Sequence, residues 1–391
     1  MGGAQPHNTI AATRQWTYRG LAIALVIVFL ASVARFYHPG AGFTAFIGFP
    51  AGHDYEAPAM GDVPHVESPA AASYDGQFYA QRALDPLCRD PLVDRAMDLA
   101  PFRARRILFS WTAYLLGLGR PVWIIDVYSL QNVAAWLLLA WLLTKWIPPT
   151  TGRGVALWGA CLFSHGVLWS VRFALLDLPS LVLTVAAVLA IERGRPLVSA
   201  AIVGVAGLAR ETNLLVVAAQ PWPRDRRTWL RAVLALTLAV VPLLVWEDYL
   251  HSIYRSTIFA GADTFMAPGV ALSSRWLQSL RALRAQGPFS GAWRPLCILS
   301  SLVVQALFVL VYRSYRAPWW RVAVPYVALM LLFNDVLADP QTAAITRVLL
   351  PLTIGFNILL AAEPRPLRFW LWFIAGNLHL VVSPTVMPLL P

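Results

Sequence analysis

The run Leu21-Ala-Ile-Ala-Leu-Val-Ile-Val-Phe-Leu-Ala-Ser-Val33 contains no charged side chain. Comparable apolar runs recur at Val133–Leu143, Leu178–Ile191 and Ala232–Trp246. About 20 mostly apolar residues cross the hydrocarbon core of a bilayer as a helix, and these runs reach or approach that length. The sequence therefore predicts an all-α polytopic membrane protein, with residues 1–391 forming a single transmembrane domain.

The composition supports the same class. Apolar residues make up 58% of the 391 residues and charged residues only 13%, whereas a soluble domain carries roughly 25% charged residues. The formal charge is +11, but the basic residues are scattered among short loops. We expect them to reflect the positive-inside bias and contacts with anionic lipid headgroups, and we expect no nucleic-acid partner.

Basic connectors predict the orientation. Arg14 and Arg19 precede the first apolar run, and Arg35 follows it without a small-residue cleavage site, which favours a retained anchor with a cytoplasmic N-terminus. Five short basic connectors are also expected in the cytoplasm: Lys145–Arg153, Glu192–Pro196, Arg224–Arg231, Arg313–Arg321 and Glu363–Arg368. The remaining connectors then face outward: a first outer loop at 38–106, Asp177–Ser180, a second long outer loop at 248–294, and Ala338–Arg347. This division predicts about nine to eleven membrane helices.

Two segments do not fit full spans. Residues 107–119 are apolar but short, and we expect a juxtamembrane or re-entrant helix on the outer face. Residues 197–220 lie between two basic connectors and are too few for two crossings. Two half-depth helices that meet near Ala209–Thr212 satisfy this constraint, provided that protein or water covers their irregular backbone.

An acidic stretch lies in the first outer loop, Ser73-Tyr-Asp-Gly-Gln-Phe-Tyr-Ala-Gln-Arg-Ala-Leu-Asp-Pro86. Asp75 is surrounded there by aromatic residues, as is typical of a membrane interface. Burial beside aromatics raises a carboxyl pKa toward the range useful for proton transfer, and a nearby basic site lowers it, so the direction stays open. Asp54 is the second candidate acid. Three neighbours of Asp75 are candidate substrate-binding residues: Tyr74, Gln77 and Tyr79.

A basic run follows in the same loop, Phe102-Arg-Ala-Arg-Arg-Ile-Leu108. Arg103, Arg105 and Arg106 lie on the predicted outer face, against the overall charge bias. Guanidinium groups bind phosphate through paired hydrogen bonds. The alternative is that these side chains extend to lipid headgroups.

Further charged residues lie at or near membrane depth. Arg210 and Glu211 form either a structural pair between the half-depth helices or part of a substrate site. Asp177 is either a helix N-cap or a site carboxylate. Arg347 is either an anchor at the membrane surface or a second phosphate ligand. No histidine spacing typical of zinc sites and no phosphate-binding glycine loop occurs, so we expect neither a catalytic metal nor a nucleotide cofactor.

Several of these motifs together resemble the GT-C superfamily of integral membrane glycosyltransferases, over about residues 15–360. Phe102–Leu108 resembles a family run Tyr-Arg-Tyr-Arg-Arg-Ile-Leu, from which Phe102 and Ala104 depart. The other motifs occur in the family's order: Tyr74–Tyr79 with Leu84–Pro86, Leu176–Pro179, Leu208–Thr212 and Arg347–Pro351. Each motif is weak alone, and their shared order carries the resemblance.

The resemblance implies a helix bundle whose first outer loop carries juxtamembrane helices. It also implies an inverting transfer of a sugar from a polyprenyl-phosphate donor to a glycan, lipid or protein acceptor, at the outer face of a bacterial inner membrane. Asp75 would be the general base, with Asp54 in reserve, and Asp177 would correspond to the acid of the second outer loop. The phosphate ligands would be Arg103, Arg105, Arg106 and Arg347.

Metal-dependent relatives carry a paired acidic motif in that second loop. Leu178 and Pro179 follow Asp177 here, so the resemblance implies no metal.

Two other functions remain open. Broken helices mark substrate sites in transporters, which favours a transporter or flippase of a lipid-linked anionic substrate. The third possibility is a non-catalytic assembly subunit of an envelope machine.

Overall fold

Helices dominate the computed structural model, which describes residues 6–52, 56–69, 74–223, 225–254 and 264–387. The first outer loop adds a short parallel pair of strands, β1 (Phe49–Pro50) and β2 (Glu67–Ser68). The α-helices are α1 (Pro6–Ala34), α2 (Gly76–Arg82), α3 (Pro91–Arg95), α4 (Ala100–Ala104), α5 (Leu108–Leu116), α6 (Pro121–Leu143), α7 (Gly152–Leu162), α8 (His165–Arg172), α9 (Asp177–Glu192), α10 (Pro196–Gly207), α11 (Arg226–Tyr254), α12 (Val270–Gln286), α13 (Trp293–Tyr312), α14 (Pro318–Leu332), α15 (Ala344–Val348), α16 (Leu350–Leu360) and α17 (Pro366–Gly376).

Four helices of the described chain are long and apolar enough to cross a membrane: α1 from Arg14 onward, α6, α11 and α13. The consecutive helices α7 and α8, bent by 44°, make a fifth if they are counted as one span. Three further described helices are apolar but shorter, namely α10, α14 and α16, so the number of nine to eleven membrane helices stays a prediction. The chain between Ala344 and Leu360 is divided into α15 and α16, and Pro351 lies in the first turn of α16, where its missing N–H costs no helical hydrogen bond.

The basic connectors gather at one end of the bundle. The Trp146 indole N–H donates to Glu192 Oε2 (2.7 Å), and the Trp146 ring lies 5.6 Å from that of Trp319. Arg153 Nη1 donates to the Glu363 carbonyl oxygen (3.2 Å). These contacts join four of the five connectors. We call the end that they form the basic end and the opposite end, which carries the first outer loop, the loop end.

The segment between α9 and α11 folds back on itself as a helical hairpin, as predicted. We call it the half-depth hairpin, and its depth in a membrane stays a prediction. The chain runs along α10, turns at residues 208–210 and returns as a 3₁₀ helix, Glu211–Ala219. At its close the Gln220 side-chain amide donates to the Pro196 carbonyl (3.1 Å). Inside the hairpin, Asn213 Nδ2 donates to the Ala206 carbonyl (2.7 Å). Such internal hydrogen bonds satisfy polar backbone that lipid cannot.

Helix α5 does not cross a membrane. Its nine residues span about 14 Å at 1.5 Å per residue, less than half of a hydrocarbon core of about 30 Å. The chain then turns sharply into α6, and a Cβ on Gly117 would lie 2.6 Å from the Ile124 backbone nitrogen. The length and the turn agree with the predicted juxtamembrane or re-entrant helix.

Both predicted outer loops contain regular secondary structure. The first carries β1, β2 and α2–α4, and the fully buried Arg82 in it binds Asp94. The second was expected at 248–294, but α11 continues to Tyr254 and α12 covers a further part. The Tyr254 hydroxyl donates to Asp94 Oδ1 (3.0 Å), which joins the end of α11 to the first loop.

Candidate functional site

Charged side chains from distant parts of the chain meet at the loop end. Among the described residues, five arginines and five carboxylates form a set that we call the arginine network. It comprises Arg103, Arg105, Arg106, Arg210, Arg347, Asp75, Asp98, Asp177, Glu211 and Glu247. Eight of the ten were candidate site residues from the sequence. Asp98 and Glu247 were not among them.

Asp75 lies directly before α2, and its side chain does not cap that helix. Its Oδ1 instead accepts a hydrogen bond from Arg103 Nη2 (2.9 Å), and 37% of its side chain stays exposed. Burial works to raise the pKa of this carboxyl, but Arg103, Arg347 and Arg106 outweigh it and hold the pKa below its ordinary value. Asp75 is therefore ionised at neutral pH and accessible to a ligand. The sequence left open whether its pKa is raised or lowered, and its surroundings lower it.

Arg103 joins the two acids of the first loop. It is 5% exposed and binds Asp98 through Nε (2.9 Å) and Nη2 (2.7 Å), as well as Asp75. The Tyr79 hydroxyl accepts from Arg103 Nη1 (3.3 Å) and from Arg106 Nη1 (3.4 Å). The alternative that Arg103 extends to lipid headgroups is wrong, because its donors face inward. Tyr79, 2% exposed, therefore bridges the two guanidinium groups.

Glu211 connects the half-depth hairpin to the first loop. Its carboxylate lies 3.2 Å from Arg106 Nε and 3.7 Å from Arg105 Nε. Arg105 also binds Glu247 of α11 (2.8 Å). The proposed structural pair between Arg210 and Glu211 is therefore wrong, since each pairs with a residue of another segment. Sequence reasoning missed Glu247, and the signal that could have found it is a carboxylate at the end of the apolar run of α11.

Asp177 opens α9 and is enclosed between two arginines. Its side chain is 1% exposed, Oδ1 contacts Arg210 Nη1, and Oδ2 accepts from Arg347 Nη1 (3.0 Å). The N-cap alternative is wrong, because both oxygens face guanidinium groups. The Nε atoms of Arg210 and Arg347 are buried, and neither has a hydrogen-bond partner among the described residues. One carboxylate and two guanidinium groups leave a surplus positive charge here.

Tyr74 binds Arg347 and directly precedes Asp75 in the chain. Its hydroxyl accepts from Arg347 Nη2 (2.7 Å) and donates to the Thr342 carbonyl (2.5 Å). The Arg347 guanidinium also lies 5.0 Å from the centre of the Tyr74 ring. Burial raises the pKa of the Tyr74 phenol, so it stays neutral. Arg347, 8% exposed, is not the surface anchor that one reading of the sequence allowed.

Two other predicted residues have different positions. Gln77 is 3% exposed, and its Oε1 has no hydrogen-bond partner in the described part of the chain. Asp54 lies outside the described residues. The substrate-binding roles predicted for Gln77, Tyr74 and Tyr79, and the absence of a metal from the reaction, stay predictions.

Comparison with known proteins does not identify the chain. No family model, curated protein or solved structure matches it. The resemblance to the GT-C superfamily therefore stays an expectation from short ordered motifs, and the geometry of the arginine network is the firmer basis for a function.

Proposed function

We propose that this protein is an inverting membrane glycosyltransferase. It transfers a sugar from a polyprenyl-phosphate donor to an acceptor hydroxyl at the loop end, which we assign to the outer membrane face. Asp75 acts as the general base. The observation that carries the proposal is a partly exposed carboxylate at 2.9 Å from Arg103, next to an arginine-rich cluster.

The proposed reaction forms one bond and breaks one. The acceptor oxygen attacks the anomeric carbon while Asp75 takes the hydroxyl proton. The bond from the anomeric carbon to the phosphate oxygen breaks, and its electron pair stays on the phosphate. Attack from the face opposite the leaving group inverts the anomeric configuration. Asp75 then returns its proton to water.

Arginines stabilise the negative charge of the leaving group. The departing polyprenyl phosphate gains one negative charge, and fixed guanidinium groups in a water-poor site stabilise that charge. Arg210 and Arg347 suit this role because they share a single carboxylate, Asp177. Arg103 does not, because it already binds Asp75 and Asp98. We therefore assign the phosphate to the side of Arg347 and the acceptor hydroxyl to the side of Asp75.

A transfer assay tests the proposal. The full chain in lipid nanodiscs is given labelled polyprenyl-phosphate hexoses and pentoses, with membrane glycans as acceptors, and both transferred label and released polyprenyl phosphate are measured. Asp75→Asn is expected to lower turnover about 10²- to 10⁴-fold, the usual contribution of a general base.

Asp98→Asn is the matched control. Asp98 binds the same guanidinium and is 38% exposed, against 37% for Asp75. The control is expected to keep more than about a tenth of the turnover, since loss of one charge-assisted hydrogen bond costs less than loss of the base. Equal losses for both variants, or full turnover of a folded Asp75→Asn protein, would show that Asp75 is not the base.

The half-depth hairpin favours a second candidate, a flippase of a lipid-linked anionic substrate. Arg210 lies at the turn between α10 and the 3₁₀ helix, and interrupted helices commonly hold transported substrates. The same purified protein, reconstituted in closed lipid vesicles, distinguishes the two functions. Movement of the labelled donor across the bilayer without any covalent product would favour the flippase.

A further inference from the structure

A cavity adjoins the arginine network. This cavity, of about 570 Å³, lies between α8, α12, the beginning of α13 and residues 339–341. Its volume falls within the range of sites that hold small ligands. We call it the polar chamber, and the residues of its wall used below are Trp169, Arg275, Gln278, Gln286, Arg294 and Gln341.

The chamber and the network share a wall. Trp169 lines the chamber, and its ring lies 6.0 Å from that of Tyr74, which precedes Asp75. His165 also lines it, and His165 Nδ1 lies 3.1 Å from the hydroxyl of Thr346, the neighbour of Arg347. The chamber therefore borders the network through Trp169 and His165, with Tyr74 between Trp169 and the proposed base.

The chamber wall carries two arginines, Arg275 and Arg294, and one aspartate, Asp339. Arg275 is held by Asp335, which lies outside the wall, with Nη2 2.8 Å from its carbonyl oxygen and Nε 3.8 Å from its carboxylate. Counted with Asp335, these charges cancel.

The uncharged polar side chains of the wall favour a polyhydroxylated ligand. Gln278, Gln286 and Gln341 each offer an amide that donates and accepts hydrogen bonds, which matches hydroxyl groups that also do both. Ser279 and Ser290 add hydroxyls. The flat indole of Trp169 supplies an apolar surface with a polar edge, on which the C–H face of a sugar ring packs.

We propose that the polar chamber binds the acceptor and that this acceptor is a neutral carbohydrate, with its terminal sugar at Trp169. The proposal rests on the glycosyltransferase function above and narrows the acceptor class. Either a free glycan or the glycan headgroup of a lipid offers the required chemistry.

A binding experiment tests the chamber without requiring transfer. Fluorescently labelled full chain in nanodiscs is applied to an array of neutral and anionic mono- to tetrasaccharides. The strongest neutral glycan is then titrated in free form and, in a second arm, as a glycolipid within the nanodisc. Binding of the free form is expected if a free glycan is the acceptor, and binding of the glycolipid form alone if the acceptor is lipid-linked.

Two variants locate the binding. Gln278→Leu and Gln341→Leu keep approximate size and remove hydrogen-bonding groups, so each is expected to weaken binding about tenfold. Arg281→Gln is the matched control, because Arg281 lies on the same helix, is exposed and does not line the chamber. The control is expected to bind within about twofold of the parent.

The possible failures are distinguishable. Absence of neutral-glycan binding, preference for anionic glycans, or unchanged binding by both leucine variants would overturn the chamber assignment. Glycan binding without donor-dependent transfer would instead remove the glycosyltransferase function and, with it, the acceptor role.

Discussion

At the scale of single residues, Asp177 shows how the network depends on its carboxylates. Its side chain, at 1% exposure, is the least exposed of the five acids. It contacts both Arg210 and Arg347, whose Nε atoms have no hydrogen-bond partner in the part of the chain that the structure describes. Breaking a buried ion pair is costly because the remaining charge stays away from water. Asp177 therefore stabilises the site in addition to any part in catalysis.

We predict that Asp177→Asn destabilises the protein by about 3–5 kcal/mol, the usual cost of removing one partner of a buried pair. Thermal unfolding of the purified chain in detergent, followed by tryptophan fluorescence, measures the change. Asp62→Asn serves as control, since Asp62 is exposed in the first outer loop and its loss is expected to leave the midpoint unchanged. An unchanged midpoint for Asp177→Asn would mean that the two guanidinium groups are solvated.

At the scale of elements, the beginning of α2 is fixed against the end of α8. A Cβ on Gly76 would lie 2.1 Å from the Phe173 carbonyl oxygen and 3.2 Å from that of Ile47. Only glycine permits this approach without a shift of backbone. Because Asp75 directly precedes Gly76, the same contact sets where the carboxylate lies relative to Arg103.

We predict that Gly76→Ala displaces α2 and destabilises the protein by about 1–3 kcal/mol, as overpacking usually does. Thermal unfolding detects the loss, and the transfer assay is expected to show reduced turnover because Asp75 moves with α2. The control is Gly20→Ala in α1, where an added Cβ meets nothing within 4 Å. Equal stability of the two variants would contradict the close packing of α2 on α8.

At the scale of the whole molecule, the two ends of the bundle differ in chemistry. The basic end carries the short Lys- and Arg-containing connectors, and the loop end carries the arginine network with its matching carboxylates. Unpaired basic residues near membrane helices favour the cytoplasmic side. The arginines of the loop end run against this bias, so the orientation depends on the short connectors of the basic end.

We predict that the loop end faces outward. Cysteine is introduced at Asp62 or at Arg316, both exposed, in a background in which Cys88, Cys161 and Cys297 are replaced. A membrane-impermeant maleimide added to intact cells is expected to label Asp62→Cys. Arg316→Cys is expected to react only after permeabilisation. The reverse pattern would put the proposed site in the cytoplasm, where the donor assignment would no longer hold.

The sequence by itself determined the membrane class, the shared end of the basic connectors, the helical hairpin between α9 and α11 and most members of the arginine network. These follow from local properties: apolar content, charge and helix-breaking residues along a short segment. Only the tertiary structure decided the partner of each charge, the lowered pKa of Asp75 and the polar chamber. Each of these depends on distances between residues far apart in the chain, as between Asp177 and Arg347, separated by 170 positions, and no local pattern encodes such a distance.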